Sequence, residues 1–199
     1  VESDITEENI EKLRNMVLPV FEEKKISEME ELILKAREDG DSIGGVIEVM
    51  ATGVPAGIGD PFFESMESEL SRMIFSVPAT KGIEFGAGFG IARMTGYEAN
   101  DEMYYDADGR VKSYTNNNGG IIGGITTGMP ISFKVAIKPP TSIERKQKTV
   151  NLETKMNDFL EVRGRHDPVI IPRAIVVLEC ATAIVILDRL MESQKNRGL

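Results

Sequence analysis

The sequence predicts a mixed α/β fold, because it contains one clear strand pattern and one clear apolar helix. Residues 131–137 alternate between apolar side chains and polar or small ones, which is typical of a half-buried strand. Residues 174–187 form an apolar run of 14 residues interrupted by Glu179. That run is too short to span a membrane and favours a buried helix, which we expect over 172–191.

Composition bounds the functional class. The chain has 199 residues, enough for one domain or two small ones. Its 23 basic and 32 acidic residues give a net charge of -9, which argues against nucleic acid or an anionic membrane as a partner. The single cysteine, Cys180, excludes an internal disulfide, fits a reducing cytosol and is expected to be inert core. No signal peptide opens the chain, and since it starts with Val1 we expect a piece of a longer polypeptide.

Residues 6–40 predict two amphipathic surface helices. Thr6 is placed to cap the first. Ser27 with Glu30 three residues on is a capping-box pattern for the second, and Gly40 is placed to end it. No chemistry is assigned to either helix.

A strand and a helix follow. Residues 41–52 turn through two glycines into a β-branched strand, and 53–59 form a Pro/Gly loop. Asp60 and Pro61 resemble an N-cap and a first-turn proline. The next helix is expected to place one apolar face in the core: Phe62, Met66, Leu70, Met73 and Ile74.

Residues 82–94 show a period of two. One face would carry Ile83, Phe85, Ala87, Phe89 and Ile91, and glycines at 86, 88 and 90 leave the other face bare. A bare face admits a close neighbour, either a tightly packed helix or a flat ligand. The polar run 95–115, with an Asp108-Gly109 turn signal, is expected to be a hairpin, a mobile flap or both.

The stretch 116–143 is the most unusual in the chain. Three asparagines precede four glycines within 119–124, which brings bare backbone N–H groups close to a guest such as an anion or the polar edge of a flat ring. A hairpin with Asn/Gly turns is the favoured alternative. The strand that follows carries Lys134 and Lys138 on its polar face, and Pro139 and Pro140 end it.

The motif 165–168, RHDP, precedes the apolar helix. Asp167 would lie just before that helix, where the macrodipole favours a carboxylate. Each residue also has a structural interpretation: a helix cap for Asp167, a surface ion pair for Arg165 and a hydrogen-bonded structural role for His166. His166 is the only histidine. No Ser/His/Asp or Cys/His arrangement is possible beyond this one histidine, and the sequence has no CxxC pair, metal-ligand spacing or phosphate-loop motif.

These motifs, taken together and in order, resemble the C-terminal half of chorismate synthase from about Asp41 to Leu190. They are DSIGGVIE, GVPAGIGDP, SVPATKGIEFGAGF, NNNGGIIGGITTGMPI, KPPTSI and RHDPVIIPRAIVVLECA. Residues 1–40 fit the helical lead-in of that family only loosely. The resemblance implies a single domain over 1–199, with a core over 41–199 that carries flavin-binding loops. It also implies a β-α-β sandwich with mainly antiparallel sheets around buried central helices.

The implied activity is the elimination of phosphate from 5-enolpyruvylshikimate 3-phosphate to give chorismate, on the route to the aromatic amino acids. The family requires reduced FMN and forms cytoplasmic homotetramers. The sequence does not show whether the flavin is reduced by an NADP(H)-dependent activity of the protein itself. By position, Asp167 would be the acid/base, and no metal is implied. The flavin contacts would be Pro78, Ala79, Gly123, Lys138, Pro139, Pro140, Thr141, Ser142 and Arg165.

One departure from the family pattern is large. The N-terminal half of the family, with two catalytic histidines and most substrate-binding arginines, has no counterpart in this sequence. The alternative function is therefore a non-catalytic half-domain that binds flavin or assembles with a partner. We expect residues 1–199 alone not to make chorismate, since a substrate with a phosphate and two carboxylates needs several converging cations.

Overall fold

The computed structural model describes residues 7–22 and 24–197. The helices, in chain order, are α1 (Glu7–Arg14), α2 (Lys24–Glu38), α3 (Met66–Ser76), α4 (Gly96–Ala99) and α5 (Ile171–Arg197). The strands are β1 (Gly45–Ala51), β2 (Thr80–Phe85), β3 (Met103–Tyr105), β4 (Val111–Ser113), β5 (Ile121–Ile122), β6 (Ile125–Thr126), β7 (Ile131–Ile137), β8 (Gln147–Asn151) and β9 (Met156–Leu160). All strand pairs among these residues are antiparallel, so the α/β fold class with antiparallel sheets is confirmed.

The chain divides into two compact units. One comprises Val1–Gly44 and Pro139–Arg173, and the other comprises Gly45–Lys138 and Ala174–Leu199. The first contains α1, α2 and the hairpin β8–β9; the second contains the remaining strands, α3 and α4. The single domain over 1–199 stays a prediction.

The second unit is built on a three-stranded sheet in the order β1-β7-β2. The central strand β7 was predicted from its alternation, and it buries every second residue, with Phe133 fully buried. In the register, Phe133 lies opposite Phe85 of β2, and their rings are 5.5 Å apart. Helix α3 supplies Met66, Leu70 and Ile74 to the same core, as predicted.

Of three predicted helix caps, two are wrong and the third lies outside the described residues. Helix α2 begins at Lys24, so Ser27 lies inside it and is not a cap. Helix α3 is capped by Ser65, whose hydroxyl accepts from the Ser68 N–H at 3.1 Å, and not by Asp60. The Asp60 prediction failed because a short 3-10 helix, Phe62–Glu64, intervenes. The predicted cap Thr6 lies outside the described residues.

The predicted core residue Phe62 is instead 85% exposed. It has a positive φ of 70°, so the chain has not yet entered the helix whose apolar face it was assigned to. Met73 is only half-buried on α3. The core face of that helix therefore begins at Met66.

The strand predicted across 82–94 ends at Phe85. Gly86 and Gly88 have positive φ values of 53° and 54°, and the chain continues as a 3-10 helix, Gly88–Arg93. Phe89 and Ile91 are consequently exposed. The neighbour that approaches the bare Gly86 is the Asn117 backbone, since a Cβ on Gly86 would lie 2.2 Å from the Asn117 carbonyl oxygen.

Two hairpins, β3–β4 and β8–β9, form in segments that the sequence predicted only in part. The run 95–115 contains α4 and the hairpin β3–β4, which confirms the hairpin alternative, with Gly109 at φ 74° in the turn. The hairpin β8–β9 was missed in part: residues 144–150 were expected to be a connection, and the second strand lies at 156–160 rather than 159–163. Both strands are largely exposed, so they carry no alternating apolar signal.

Helix α5 covers the predicted 172–191 and extends to Arg197. It buries Leu178, Ala181 and Val185 on one side. Other apolar side chains along the helix are exposed in this chain: Val176, Val177, Ile184, Leu187 and Met191. Cys180 is exposed as well, so its prediction as core was wrong.

Candidate functional site

The residues predicted to contact a ligand divide between the two compact units, and each group is described within its own unit. Pro78, Ala79, Gly123 and Lys138 lie in the unit built on the sheet. The segment 139–142 lies in the other unit, as do Arg165 and Asp167.

Pro78 and Ala79 form a tight turn at the start of β2. The Thr80 N–H donates to the Val77 carbonyl at 3.3 Å, and Ala79 has a positive φ of 73°. Proline followed by a residue of positive φ is the pattern of a type II turn, whose third position favours glycine. An alanine there is strained by about 1–3 kcal/mol, and such strain concentrates at ligand sites.

The strained turn is joined to the end of β7. The Lys138 N–H donates to the Ala79 carbonyl at 2.9 Å, so the structure brings these two predicted residues together. The Lys138 ammonium has no ion pair among the described residues, whereas the ammonium of Lys134, within β7, lies 3.9 Å from a Glu84 oxygen. Lys138 is therefore available to an anionic ligand.

Gly123 lies in the two-residue turn between β5 and β6, so the hairpin interpretation of the Asn/Gly stretch is confirmed. Its φ is 60°, and a Cβ built on it would meet nothing within 4 Å. A Cβ on the adjacent Gly124 would lie 2.5 Å from the Asp60 carbonyl oxygen. Gly124 is thus required by packing, while Gly123 faces open space that a flat group could enter.

The segment 139–142 presents donors to solvent. The Ser42 hydroxyl donates to the Pro140 carbonyl, and the Gln147 amide donates to the Thr141 carbonyl at 3.1 Å. Thr141 and Ser142 are exposed, and their hydroxyls have no partner in the part of the chain that the structure describes. The backbone of this segment is fixed, and its hydroxyls are free to bind oxygen atoms.

The RHDP motif differs from its predicted position. Helix α5 begins at Ile171, so Asp167 lies four residues before it and is not its cap. Instead, the Arg173 guanidinium in the first turn of α5 donates to Asp167 Oδ2 at 2.5 Å. His166 Nε2 lies 3.1 Å from the Val162 carbonyl, which matches the hydrogen-bonded structural role. Arg165 is exposed and has no ion pair within the described ranges.

Arg165 and His166 line a cleft of about 200 Å³ within their unit. The other lining residues are Arg37, Gly40, Asp41, Ile143, Glu144, Gly164 and Pro168. In this cleft the backbone N–H of Ser42 and the guanidinium of Arg145 hold the pKa of the Asp41 carboxyl below its usual range. Among the described residues, the cleft therefore combines one neutralised carboxylate, Asp41, and one unpaired carboxylate, Glu144, with two unpaired guanidinium groups.

Sequence reasoning missed the partner of the asparagine run, which is Asp101. Its buried carboxylate accepts from the backbone N–H groups of Asn117 at 2.7 Å and Asn118 at 2.9 Å. It also accepts from the Thr115 hydroxyl and the Asn118 amide, both at 2.7 Å. Burial raises the pKa of the Asp101 carboxyl, but these hydrogen bonds together outweigh burial and lower that pKa.

The anion predicted for this loop is thus supplied by the chain itself. No local pattern links Asp101 to asparagines 16 residues away. The only signal was an aspartate in a polar run upstream of N–H groups that needed an acceptor. We call Asp101 with its four donors the Asp101 cradle.

Residues 7–22 and 24–197 contain neither a cluster of metal ligands nor a membrane-spanning helix. No cluster of three or more His, Cys, Asp or Glu side chains could hold a metal ion there. No helix in that part of the chain is long and apolar enough to cross a membrane.

Comparison with known proteins gives a consistent result. The family model described as chorismate synthase matches residues 2–191. The chorismate synthase of Methanocaldococcus jannaschii is 51% identical over 165 residues, which cover 83% of this chain and 44% of that protein. The chorismate synthase of Methanococcus aeolicus is 46% identical over 187 residues, which cover 94% of this chain and 50% of the relative.

A solved structure is also similar. The crystal structure of a chorismate synthase matches with a TM-score of 0.74 and 33% identity, covering 92% of this chain and 48% of that one. The chain therefore spans about half the length of the relatives it matches.

Proposed function

The chain belongs to the chorismate synthase family, and on that premise we propose that it catalyses, within the native polypeptide that contains it, the 1,4-elimination of phosphate from 5-enolpyruvylshikimate 3-phosphate. The product is chorismate, and the enzyme class is a carbon-oxygen lyase that requires reduced FMN. The family match over 2–191 carries this proposal. We further propose a homotetramer in the cytoplasm.

The residues present suit a flavin nucleotide. Gly123 leaves open space beside a left-handed turn, and Ala79 keeps a strained backbone at the start of β2. Lys138, Thr141 and Ser142 offer one cation and two hydroxyls without partners, which is the donor chemistry that binds phosphate and ring oxygens. We propose that Pro78, Ala79, Gly123, Lys138, Pro139, Pro140, Thr141, Ser142 and Arg165 contact FMN.

When bound, reduced FMN supplies electron density to the allylic substrate as phosphate leaves. The contribution of the chain is to position groups and to move a proton. Lys138 and Arg165 place positive charge for anionic groups. Asp167 is the proposed acid/base: Arg173 holds its Oδ2, and Oδ1 has no partner among the described residues and is free to take a proton.

The test replaces Asp167 with asparagine in the native polypeptide. Asp167→Asn keeps size and hydrogen bonding but removes proton acceptance, so chorismate formation should fall about 10²–10⁴-fold. FMN affinity should stay within about threefold. Glu161→Gln is the matched control, since Glu161 is a nearby exposed carboxylate paired with Arg163 at 3.2 Å.

Formation of chorismate is measured without oxygen, with reduced FMN and substrate supplied. A parent protein that forms none would overturn the proposed function. A variant within threefold of an active parent would leave the function standing and would show that Asp167 is only a partner of Arg173.

A further inference from the structure

The wall segments of the cleft beside Arg165 are joined by backbone hydrogen bonds. The turn after α2 is closed by Gly40 N–H to the Arg37 carbonyl at 3.1 Å and by Asp41 N–H to the Ala36 carbonyl at 2.8 Å. The Glu144 N–H donates to the Gly40 carbonyl at 2.9 Å. These bonds fix the end of α2 against the chain at 144, so the cleft is formed before any ligand arrives.

A second connection fixes the wall that carries the RHDP motif. The Ile43 N–H donates to the Pro168 carbonyl at 2.8 Å. The walls lie close together at Gly40: a Cβ there would lie 3.3 Å from the Glu144 Cβ, and the φ of 62° favours glycine at this position. Arg37 and Arg165 therefore line one cleft from two segments that the backbone holds together.

The charges in this cleft are not balanced internally. The Asp41 carboxylate is occupied, since it accepts from Arg145 at 2.6 Å and from the Ser42 N–H at 2.9 Å. Arg37 and Arg165 have no ion pair in the part of the chain that is described, and one carboxylate, Glu144, is also unpaired. Two guanidinium groups against one free carboxylate leave the cleft positive, although the chain as a whole carries -9.

The size of the cleft limits what it binds. Its volume of about 200 Å³ is below the roughly 300–1,000 Å³ of pockets that enclose a whole small molecule. It suits a single anionic group of a larger ligand that extends beyond it. Guanidinium groups bind the oxygens of phosphate and carboxylate in a bidentate manner, so two of them suit such a group.

We propose that Arg37 binds, jointly with Arg165, a phosphate or carboxylate group of a ligand of the proposed reaction. This inference rests on the proposed function, in which Arg165 contacts the flavin. It adds a binding residue from α2, a helix to which the sequence assigns no chemistry. The oxyanion is the phosphate of FMN or an acidic group of the substrate, and the two sources are separable by experiment.

The experiment compares Arg37→Ala with the parent native polypeptide in equilibrium titrations with FMN, with riboflavin, which lacks the phosphate, and with the substrate in the presence of FMN. Lys35→Ala is the matched control, because Lys35 is an exposed cation in the last turn of the same helix and does not line the cleft. Arg37→Lys, which keeps the charge but not the bidentate geometry, should fall between the parent and Arg37→Ala. It also serves if Arg37→Ala does not fold.

Loss of one charge-assisted contact should weaken binding roughly 10–100-fold. If FMN weakens and riboflavin does not, the cleft binds the flavin phosphate. If only the substrate weakens, the cleft binds a substrate group. Affinities for all three within threefold of the parent, or an equal loss for FMN and riboflavin, would overturn the inference while the proposed function stands. A parent that binds neither FMN nor substrate would overturn both.

Discussion

The segment 116–119 and the segment 164–168 both suggested ligand binding at the level of sequence, and the structure treats them in opposite ways. In the first, the N–H groups of Asn117 and Asn118 are already bound to the Asp101 carboxylate. In the second, Arg165 lines an open cleft and has no ion pair among the described residues. The difference is whether the chain itself supplies the partner group.

This contrast shows that a run of exposed donors is not by itself a binding site. The Asp101 cradle fixes the loop beside Gly86 and Gly119, whose backbones are in close contact. It therefore acts through stability and shape. In the RHDP segment the Arg165 guanidinium has no ion pair among the described residues, and an unpaired charge at a cleft is available to a ligand.

The largest effect is expected from breaking the cradle. Asp101→Asn places an amide donor against the backbone and side-chain donors that now bind a carboxylate, so unfolding free energy should fall by about 2–4 kcal/mol. The measurement is denaturant unfolding of the native polypeptide. Asp106→Asn is the control, since Asp106 accepts only in a partly exposed turn, from Asp108 N–H and Arg110 N–H, and an amide oxygen can replace it there.

Asp101→Asn should also change how folding stability depends on pH. Because hydrogen bonding lowers the pKa of Asp101 in the folded state, its contribution to stability is fully present above the unfolded pKa of about 4. That contribution is lost as pH falls through the folded pKa. The stability of the parent should therefore drop more steeply below about pH 4 than that of Asp101→Asn. Parallel acid curves for the two proteins would show that the cradle does not hold an ionised carboxylate.

Smaller changes in stability, of opposite sign, are expected when each of two buried threonines is replaced by valine. The Thr126 hydroxyl accepts from the Ile58 N–H at 2.9 Å and donates to the Pro55 carbonyl at 2.7 Å. Residue Thr80 is only 5% exposed, and its buried hydroxyl has no hydrogen-bond partner in the part of the chain that the structure describes. Thr126→Val should cost about 1–3 kcal/mol, and Thr80→Val should stabilise by up to about 1 kcal/mol.

Thermal melts of the two valine variants test this pair. Each serves as control for the other, since the substitution, the burial and the strand context are alike. Destabilisation by both variants to the same extent would mean that the Thr80 hydroxyl has a partner in the native protein.

The sequence predicted those elements whose pattern is local. Strand β7 alternates because one face is buried. The apolar run predicted α5, although only part of that run, such as Leu178 and Val185, is core and other apolar side chains of the helix are exposed. The predictions at Ser27 and Asp60 failed because side chains that suit a cap also occur where the helix has already begun or has not yet begun. The hairpin β8–β9 lacks a buried face and gave little signal.

The candidate site was predictable only through the family resemblance. Ala79 is an ordinary alanine in sequence, and its positive φ follows from a turn closed by Val77 and from the Lys138 hydrogen bond. The Asp101 cradle and the cleft at Arg37 depend on residues far apart in the chain, which no spacing rule joins. Long-range contacts of this kind appear only once the backbone is folded.

The most direct test of the contrast between closed and open segments is amide hydrogen exchange of the native polypeptide with and without FMN. We expect added protection at 77–80, at 141–142 and at 164–167, where donors are free or the backbone is strained. Residues 117–118 should exchange slowly in both states, because Asp101 already binds their N–H groups. FMN-dependent protection at 117–118, with no change at the other three segments, would contradict the account.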